Sequence, residues 1–473
     1  MQNRKKVLLM GVSGLFATLS ASQVQAQSPA ATPPPDLPAR PFVLSKEQSK
    51  TLPNGLKIVV VESHSVPVVT LRLGILAGSV LDPADTPGLA SAVASQMTEG
   101  TDNFNSLQLK EAVEGLGGDI DVTAGRDSAT LGASALAENF TRLTEILADV
   151  LLHPTFRPEE LTTFKQLTLQ SLVLQRQQPT FLASQQFNKV VYGQHPYGVS
   201  STTPAAVQAL TPEKLKAFYQ AHYLPRGAVL VVVGDVKPAA AIAQLTKVLG
   251  SWTASTGGSA TASYPAIPTI TTRHIYLVNR PGSVQSNILI GNLAIKRGDP
   301  DIYPLTLANI IMGGGFTSRL FSSVRERLGY AYDVSSNLDR NELAGDYVAS
   351  AQTRTDVTAP ALKEMLRLTE QMRATPVTDT ELQEAKSLLK GNFVLGLVTQ
   401  AGLSASLLNR ELYRLPPDYL SSFRSRIDTV TVADVQRVAQ KYFQADRATI
   451  VVVGDADKLR EPLKEVGEVE EVK

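Results

Sequence analysis

The chain contains no cysteine, one tryptophan and only five histidines in 473 residues. Without cysteine there are neither disulfides nor thiolate-held metals. An excess of one charge is missing as well: 45 Lys and Arg stand against 44 Asp and Glu, interspersed, for a net charge of +1. That balance removes the electrostatic reason to expect a nucleic acid or a membrane surface as partner. The histidines, His64, His153, His195, His222 and His274, never fall at the i, i+4 spacing that lets two imidazoles share a metal on one helix face. His195-Pro-Tyr-Gly198 reads as a structural turn and His222 as packing. After the N-terminus no apolar run approaches the roughly twenty residues that span a bilayer.

What is present is ample core material, 43% hydrophobic residues, in a length that at about 150 residues per domain means three domains or two large ones. The N-terminus reads as an export signal over residues 1–26: Arg4, Lys5 and Lys6, an apolar run from Val7 to Leu19, then Val24-Gln25-Ala26 before a cut ahead of Gln27. Its retention as an anchor is the alternative. A bacterial periplasm suits an exported chain without cysteine. Residues 27–47, with Pro-Pro-Pro at 33–35, read as a linker, and order is expected from near Thr51.

From there the chain repeats itself. Thr211-Pro-Glu-Lys-Leu leads through a helix to Val231-Val-Val-Gly-Asp235, and Thr431-Val-Ala-Asp-Val leads through a helix to Val451-Val-Val-Gly-Asp455. The offset is 220 at both ends (431 − 211 and 455 − 235), and Gln220 matches Gln440 as Ala228 matches Ala448. An ungapped match of this length implies two homologous units, at 48–252 and 273–468, joined by a linker over 253–272. Strands at Lys57–Val61, Val68–Gly74, Ile120–Thr123 and Ala129–Ala135 alternate with helices at Leu107–Leu116 and Asn139–Leu152. The fold class is α+β, each unit a mixed β-sheet with helices packed on one side. The charged residues from Glu468 onward are expected to fray.

Two stretches carry the chemistry. In the first unit Gly88-Leu-Ala-Ser-Ala-Val-Ala-Ser-Gln-Met-Thr-Glu-Gly-Thr101 resembles the zinc helix of the pitrilysin and insulinase metallopeptidases, which include the mitochondrial processing peptidases. There the segment reads Gly-Leu-Ala-His-x-x-Glu-His-x-x-x-x-Gly-Thr, an inverted zincin signature. The frame matches at Gly88, Leu89, Ala90, Gly100 and Thr101, while Ser91, Ala94 and Ser95 occupy the two histidine positions and the glutamate position. The third ligand position, counted back from Pro179, is Ser171. Serine is a poor zinc ligand and alanine moves no proton, so no metal and no cofactor are expected in this chain.

In the second unit Gly313-Gly-Gly-Phe-Thr-Ser-Arg-Leu-Phe-Ser-Ser-Val-Arg-Glu-Arg-Leu-Gly-Tyr-Ala-Tyr332 predicts a helix capped by Thr317 or Ser318, striped by Leu320, Val324 and Leu328, and ended by Gly329. It is similar to the family segment in which an arginine and, seven residues later, a tyrosine face the zinc; here these are Arg325 and Tyr332. Both side chains can donate to a scissile carbonyl or a developing oxyanion. A solvated arginine and a core tyrosine are the plain alternative, and Tyr330 reads as packing. Gly313, Gly314 and Gly315 lack the Lys-Ser of a phosphate loop and suit a turn or peptide-contact loop. Ala129, Thr130, Leu131 and Gly132 fall where the family adds a substrate peptide to a sheet edge; a buried strand is the equal alternative. The resemblance therefore implies the zinc-less subunit of a two-chain peptidase. Its partner would carry His-x-x-Glu-His, and its substrate would be an unstructured peptide. An inert peptide-binding or structural scaffold is the rival reading.

Overall fold

The computed structural model describes residues 46–253 and 263–472. The expected signal peptide, nearly all of the proline-rich linker and the middle of the 253–272 linker lie outside the described residues. Two six-stranded sheets form the framework. The first is built from β1 (Glu47–Thr51), β2 (Lys57–Glu62), β3 (Val68–Ile75), β4 (Asp119–Ala124), β5 (Ala129–Leu136) and β6 (Val229–Gly234), in the order β1-β2-β6-β3-β5-β4. The second is built from β7 (His274–Asn279), β8 (Gln285–Leu293), β9 (Ala331–Leu338), β10 (Asp346–Arg354), β11 (Thr449–Gly454) and β12 (Val469–Val472), in the order β12-β7-β11-β8-β10-β9. Five strands correspond one to one, and the 220-residue offset holds: β6 maps onto β11 and the helix Pro212–His222 onto Val432–Tyr442.

Two expectations need correction at the ends. Order starts before Thr51, since β1 pairs antiparallel with β2 from Glu47 onward. The tail does not fray either: Val469–Val472 pair parallel with Ile275–Val278, and Glu471 bonds Arg460 at 2.6 Å. Charged side chains are tolerated there because an edge strand's backbone is satisfied by one neighbour while its side chains stay in water.

Each half places its own helices on one face of its sheet. In the first, Ile58, Val60, Leu71 and Leu73 pack with Leu89, Val93, Leu143 and Leu147. The opposite face is covered by a helix from the other half. Val59, Val61, Val229, Val231 and Val233 pack against Leu407, Leu408 and Leu412 of the helix Gln400–Leu412. Reciprocally, Val451 and Val453 pack against Ala183, Phe187 and Val191 of the helix Pro179–Tyr192. Adjacent strand residues point to opposite faces, so strands with both faces covered must be apolar at every position. That is the physical reason for the repeated Val-Val-Val.

Equivalent glycines admit the two exchanged helices. Gly74, paired with Val229, would set a Cβ 2.9 Å from Leu408; Gly291, paired with Thr449 (229 + 220), would set one 2.8 Å from Phe187 and 2.2 Å from the Tyr347 carbonyl. Polar contacts fix the same arrangement. Arg410 makes a bidentate pair with Glu47 at 2.8 and 2.5 Å, and Lys57 reaches Glu411 at 2.5 Å. Between the β4–β5 and β9–β10 turns, Tyr197 donates to Asp127, whose other oxygen accepts the Glu342 N–H at 2.8 Å. Tyr192 donates to Asp346 at 2.5 Å, and the Arg126 guanidinium lies over both tyrosine rings, 5.6 and 5.5 Å from their centres. Burial lifts the Asp346 carboxyl to a pKa of about 6.

Gly291→Ala should destabilise the chain by about 1–3 kcal/mol in denaturant unfolding. Gly391→Ala, in the middle of the helix Asp379–Val398 with open space around its Cα, should stabilise by about 0.5–1 kcal/mol. Equal effects would show that the exchanged-helix contact is not tight. For Asp346, the folded chain holds the carboxyl proton more tightly than the unfolded chain, so its contribution to stability is full below the ordinary 3.8 and is lost as pH rises through about 6. Asp346→Asn should therefore gain on the wild type by roughly 1–3 kcal/mol between about pH 4 and 7. A difference that stays flat over that window would mean an ordinary carboxylate.

Candidate active-site surfaces

The helix that carries the zinc-site frame runs Leu89–Gln96 and is started by a device absent from the motif. Asp82 accepts the N–H groups of Gly88 and Ala90, each at 2.7 Å, and so takes the place of a capping side chain. Burial raises its pKa to about 6, against the opposing pull of those two donors. The far end of the frame is tied down by Thr101, which donates to Asp149 at 2.5 Å.

The four ligand-equivalent positions do not converge on a metal-binding set. Ser91 is exposed and lines a cleft of about 1210 Å³; Ala94 is 1% exposed within the core; Ser95 is half-buried. Ser171 is exposed on the helix Pro158–Arg176, where it accepts the Gln175 amide at 3.1 Å. Among the described residues, no three His, Asp or Glu side chains are grouped to hold a metal ion. These positions supply neither imidazole nor carboxylate and do not fit zinc.

The histidines have other partners. His64 bonds Asp235 at 2.5 Å and Glu62 at 2.9 Å, contacts that raise its pKa. His195 accepts the Tyr197 N–H at 3.1 Å and lies buried against tyrosine rings. His153 faces Asp102 at 3.7 Å and His274 faces Glu470 at 3.3 Å. His222 packs on Phe218 at 4.6 Å, and burial lowers its pKa. It also borders the same cleft as Ser91.

Arg325 and Tyr332 do come together. The Arg325 guanidinium lies 5.3 Å from the Tyr332 ring centre and 4.8 Å from that of Phe321, so two aromatic faces hold it. Among the described residues it has no carboxylate partner. Tyr332 is 78% exposed, which removes the reading of a core tyrosine; Tyr330 packs on the core as expected.

Both side chains stand on irregular backbone. In place of the regular α-helix expected around Arg325, the segment Phe321–Arg327 is a π-helix, although Leu320 and Val324 are buried and Gly329 ends it at φ 61° as the stripe requires. Tyr332 sits where the β9–β10 register slips: Asp333 pairs with Gln352 and Ala331 with Thr353, which leaves Tyr332 as the extra residue of a bulge on an edge strand. Extra residues of both kinds cluster at working sites because they re-aim a side chain without disturbing the element around it.

Sequence spacing missed Phe321 as a partner of Arg325, although an aromatic four residues before an arginine is a readable neighbour. Phe316, 80% exposed, meets Phe321 edge-on at 5.2 Å and extends the aromatic surface.

Of the two readings of residues 129–132, the structure shows the interior strand. Ala129, Thr130, Leu131 and Gly132 lie in β5, hydrogen-bonded to β3 on one side and β4 on the other, so they offer no free edge. The free edge is β4, with Asp119, Asp121 and Thr123 exposed. Gly132 leaves room for Asp121, whose carboxylate lies over it. Of the three glycines, Gly313 ends the helix Ile302–Gly313 and is buried, because a Cβ there would meet the Ser336 N–H nitrogen at 2.6 Å. Gly314 and Gly315, with Phe316, border a hollow of about 510 Å³.

Comparison with known proteins fits this geometry. Residues 57–204 match the model of Insulinase (Peptidase family M16), and residues 209–389 match that of the Peptidase M16 inactive domain. The uncharacterized zinc protease YmxG of Bacillus subtilis is 23% identical over 406 residues, covering 85% of this chain and 97% of its own. The probable mitochondrial-processing peptidase subunit beta of Arabidopsis thaliana is 24% identical over 461 residues, 91% of this chain and 82% of its own. Among solved structures, a peptidase M16 inactive domain from Pseudomonas fluorescens superposes with a TM-score of 0.81 at 29% identity, over 87% of this chain and 98% of that one. A protease from Helicobacter pylori superposes at 0.79 with 21% identity, over 87% and 100%. The two M16 domain matches lie end to end across the repeat, and the chain belongs to the pitrilysin and insulinase peptidase family, M16.

Proposed function

We propose that this chain is the zinc-free subunit of an exported, heteromeric zinc peptidase and that it supplies Arg325 and Tyr332 to a peptide held against a partner subunit's His-x-x-Glu-His. The observation that carries the reading is Arg325 itself: a guanidinium with no carboxylate partner among the described residues, on a π-helix, fixed between Phe321 and Tyr332, the latter on a bulge of the edge strand β9. Its donors are available to a peptide carbonyl, and the Tyr332 hydroxyl is open to solvent beside it. Such donors favour the reacting oxygen more as its negative charge develops. The edge of β4 is the surface on which an extended peptide can add as a seventh strand. Export to the periplasm is supported by the charged and apolar N-terminal residues alone. No zinc is held by this chain, because Ser91, Ala94, Ser95 and Ser171 supply neither imidazole nor carboxylate.

Co-purification with an exported His-x-x-Glu-His family member should yield cleavage of unstructured peptides that neither chain gives alone, with zinc only in the partner. Arg325→Ala and Tyr332→Phe should each lower kcat/KM by about 10²–10³-fold while leaving the assembly intact by size-exclusion chromatography. Unchanged cleavage would remove their role and favour an inert peptide-binding scaffold. Phe321→Leu keeps an apolar side chain but loses one aromatic face. It should lower kcat by about two- to fivefold with little change in the unfolding midpoint, the loss of one cation–π contact of about 0.5–1 kcal/mol. A proportionate loss of stability instead would make Phe321 only a packing residue.

A further inference from the structure

A second hollow, of about 420 Å³, lies in the second half between the start of the Ile302–Gly313 helix and the β9–β10 turn, and the Arg325–Tyr332 pair does not border it. Four arginines line it, Arg297, Arg340, Arg426 and Arg437. Two are engaged elsewhere, Arg426 by Asp418 at 3.1 Å and Arg437 by Asp301 at 2.8 Å. The two carboxylates that border the hollow are engaged as well: Asp299 accepts the Asp301 N–H at 2.8 Å, and Asp434 accepts from Thr431 N and Oγ1 at 2.9 and 2.7 Å.

Among the described residues Arg297 and Arg340 make no ion pair, and the one carboxylate that acts on Arg340 is its sequence neighbour Asp339. Arg297 is held rigidly: one terminal nitrogen donates to Asn409 at 2.6 Å, and its guanidinium stacks on the Tyr413 ring with the carbon 3.7 Å from the centre. Its Nε is buried and has no hydrogen-bond partner. Arg340, in the β9–β10 turn, makes no ion pair among the described residues, and it lies within electrostatic reach of Arg297. Asp339, its sequence neighbour, takes the Asn337 amide at 2.8 Å. Two like charges on one hollow repel, and a buried donor left without an acceptor costs free energy. Both costs are removed by an anion that accepts from the two guanidinium planes, as phosphate and carboxylate groups do.

We propose that this hollow is a binding site for a small oxyanion, a phosphate- or carboxylate-bearing molecule, clasped by Arg297 and Arg340. The proposal is independent of the peptidase reading, because it uses none of the same side chains.

The test is titration of the full mature chain with phosphate, pyrophosphate or citrate. Ionic strength is held constant with chloride, and heat of binding and unfolding midpoint are both read. At least one of the three anions should bind saturably with one site per chain and raise the midpoint. Preference for the phosphates or for citrate tells which group the site takes. Arg340→Gln should weaken binding about tenfold or more, with a midpoint in chloride no lower than that of the wild type. Arg297→Lys keeps the charge but loses the planar fork and should also weaken it, whereas Arg426→Gln, already engaged by Asp418, should stay within about twofold. No saturable binding by any of the three, or equal affinity in Arg340→Gln and wild type, would overturn the proposal.

Discussion

The structure depends on an exchange: each half covers the second face of the other's sheet with one of its own helices. Neither sheet could be left with that face in water. Val59, Val61, Val229, Val231 and Val233 on one side, and Val451 and Val453 on the other, are fully apolar rows, and their burial in the free halves would have to be replaced at about 25 cal/mol per Å². The exchange therefore makes the two halves one cooperative object. It also sets their relative placement, since the helices Gln400–Leu412 and Pro179–Tyr192 are seated over Gly74 and Gly291, where no larger side chain would let them approach. Every site argued above rests on this fixed geometry, because the edge strands β4 and β9 are the equivalent outermost members of the two sheets.

Against that regular frame the irregularities are informative. The protein keeps ideal strands where it needs packing and departs from ideal geometry around Arg325 and Tyr332, where a π-turn and a bulge occur within a dozen residues of each other. Inserted residues weaken local hydrogen bonding and persist only where the surroundings hold them. Leu320 and Val324 supply that hold from below, and Phe321 and Phe316 from the side. The result is a charged side chain held by aromatic faces with no ion pair among the described residues, which leaves its hydrogen-bond donors available.

Much of this was legible in the sequence. The 220-residue repeat gave the two-unit architecture, and unbroken valine runs are what doubly covered strands require. Strand identities are readable, but strand neighbours are not: period-two alternation tells which face a residue occupies and says nothing of which strand lies outermost, so an edge and a buried position for β5 stay equal until the structure places β4 outside it. The helix around Arg325 was readable from Leu320, Val324 and Leu328, yet the extra residue that turns it into a π-helix leaves those apolar positions in place. Asp82 is invisible in the sequence because a carboxylate six residues before an N-cap has no capping signature; its role comes from how the chain folds back. The tail was misjudged on charge alone, where backbone pairing with β7 decides.

The survival of the zinc-helix frame without its chemistry has a structural explanation. The conserved-looking positions are those that build the element: Gly88 adopts φ +94° beside Thr202, Leu89 and Ala90 are buried, and Thr101 anchors Asp149. None of these tasks involves a metal. The positions that would carry ligands divide differently, since Ser91 opens on the cleft while Ala94 is packed in the core. A carboxylate at Ala94 would be costly to bury unless it were offset by a cation beside it. Once the histidines are gone, alanine is the side chain that removes that penalty while keeping the helix against its sheet. The absence of a carboxylate at position 94 is thus the expected companion of the absence of imidazoles at 91 and 95, and the residues that build the Leu89–Gln96 helix do so without a metal.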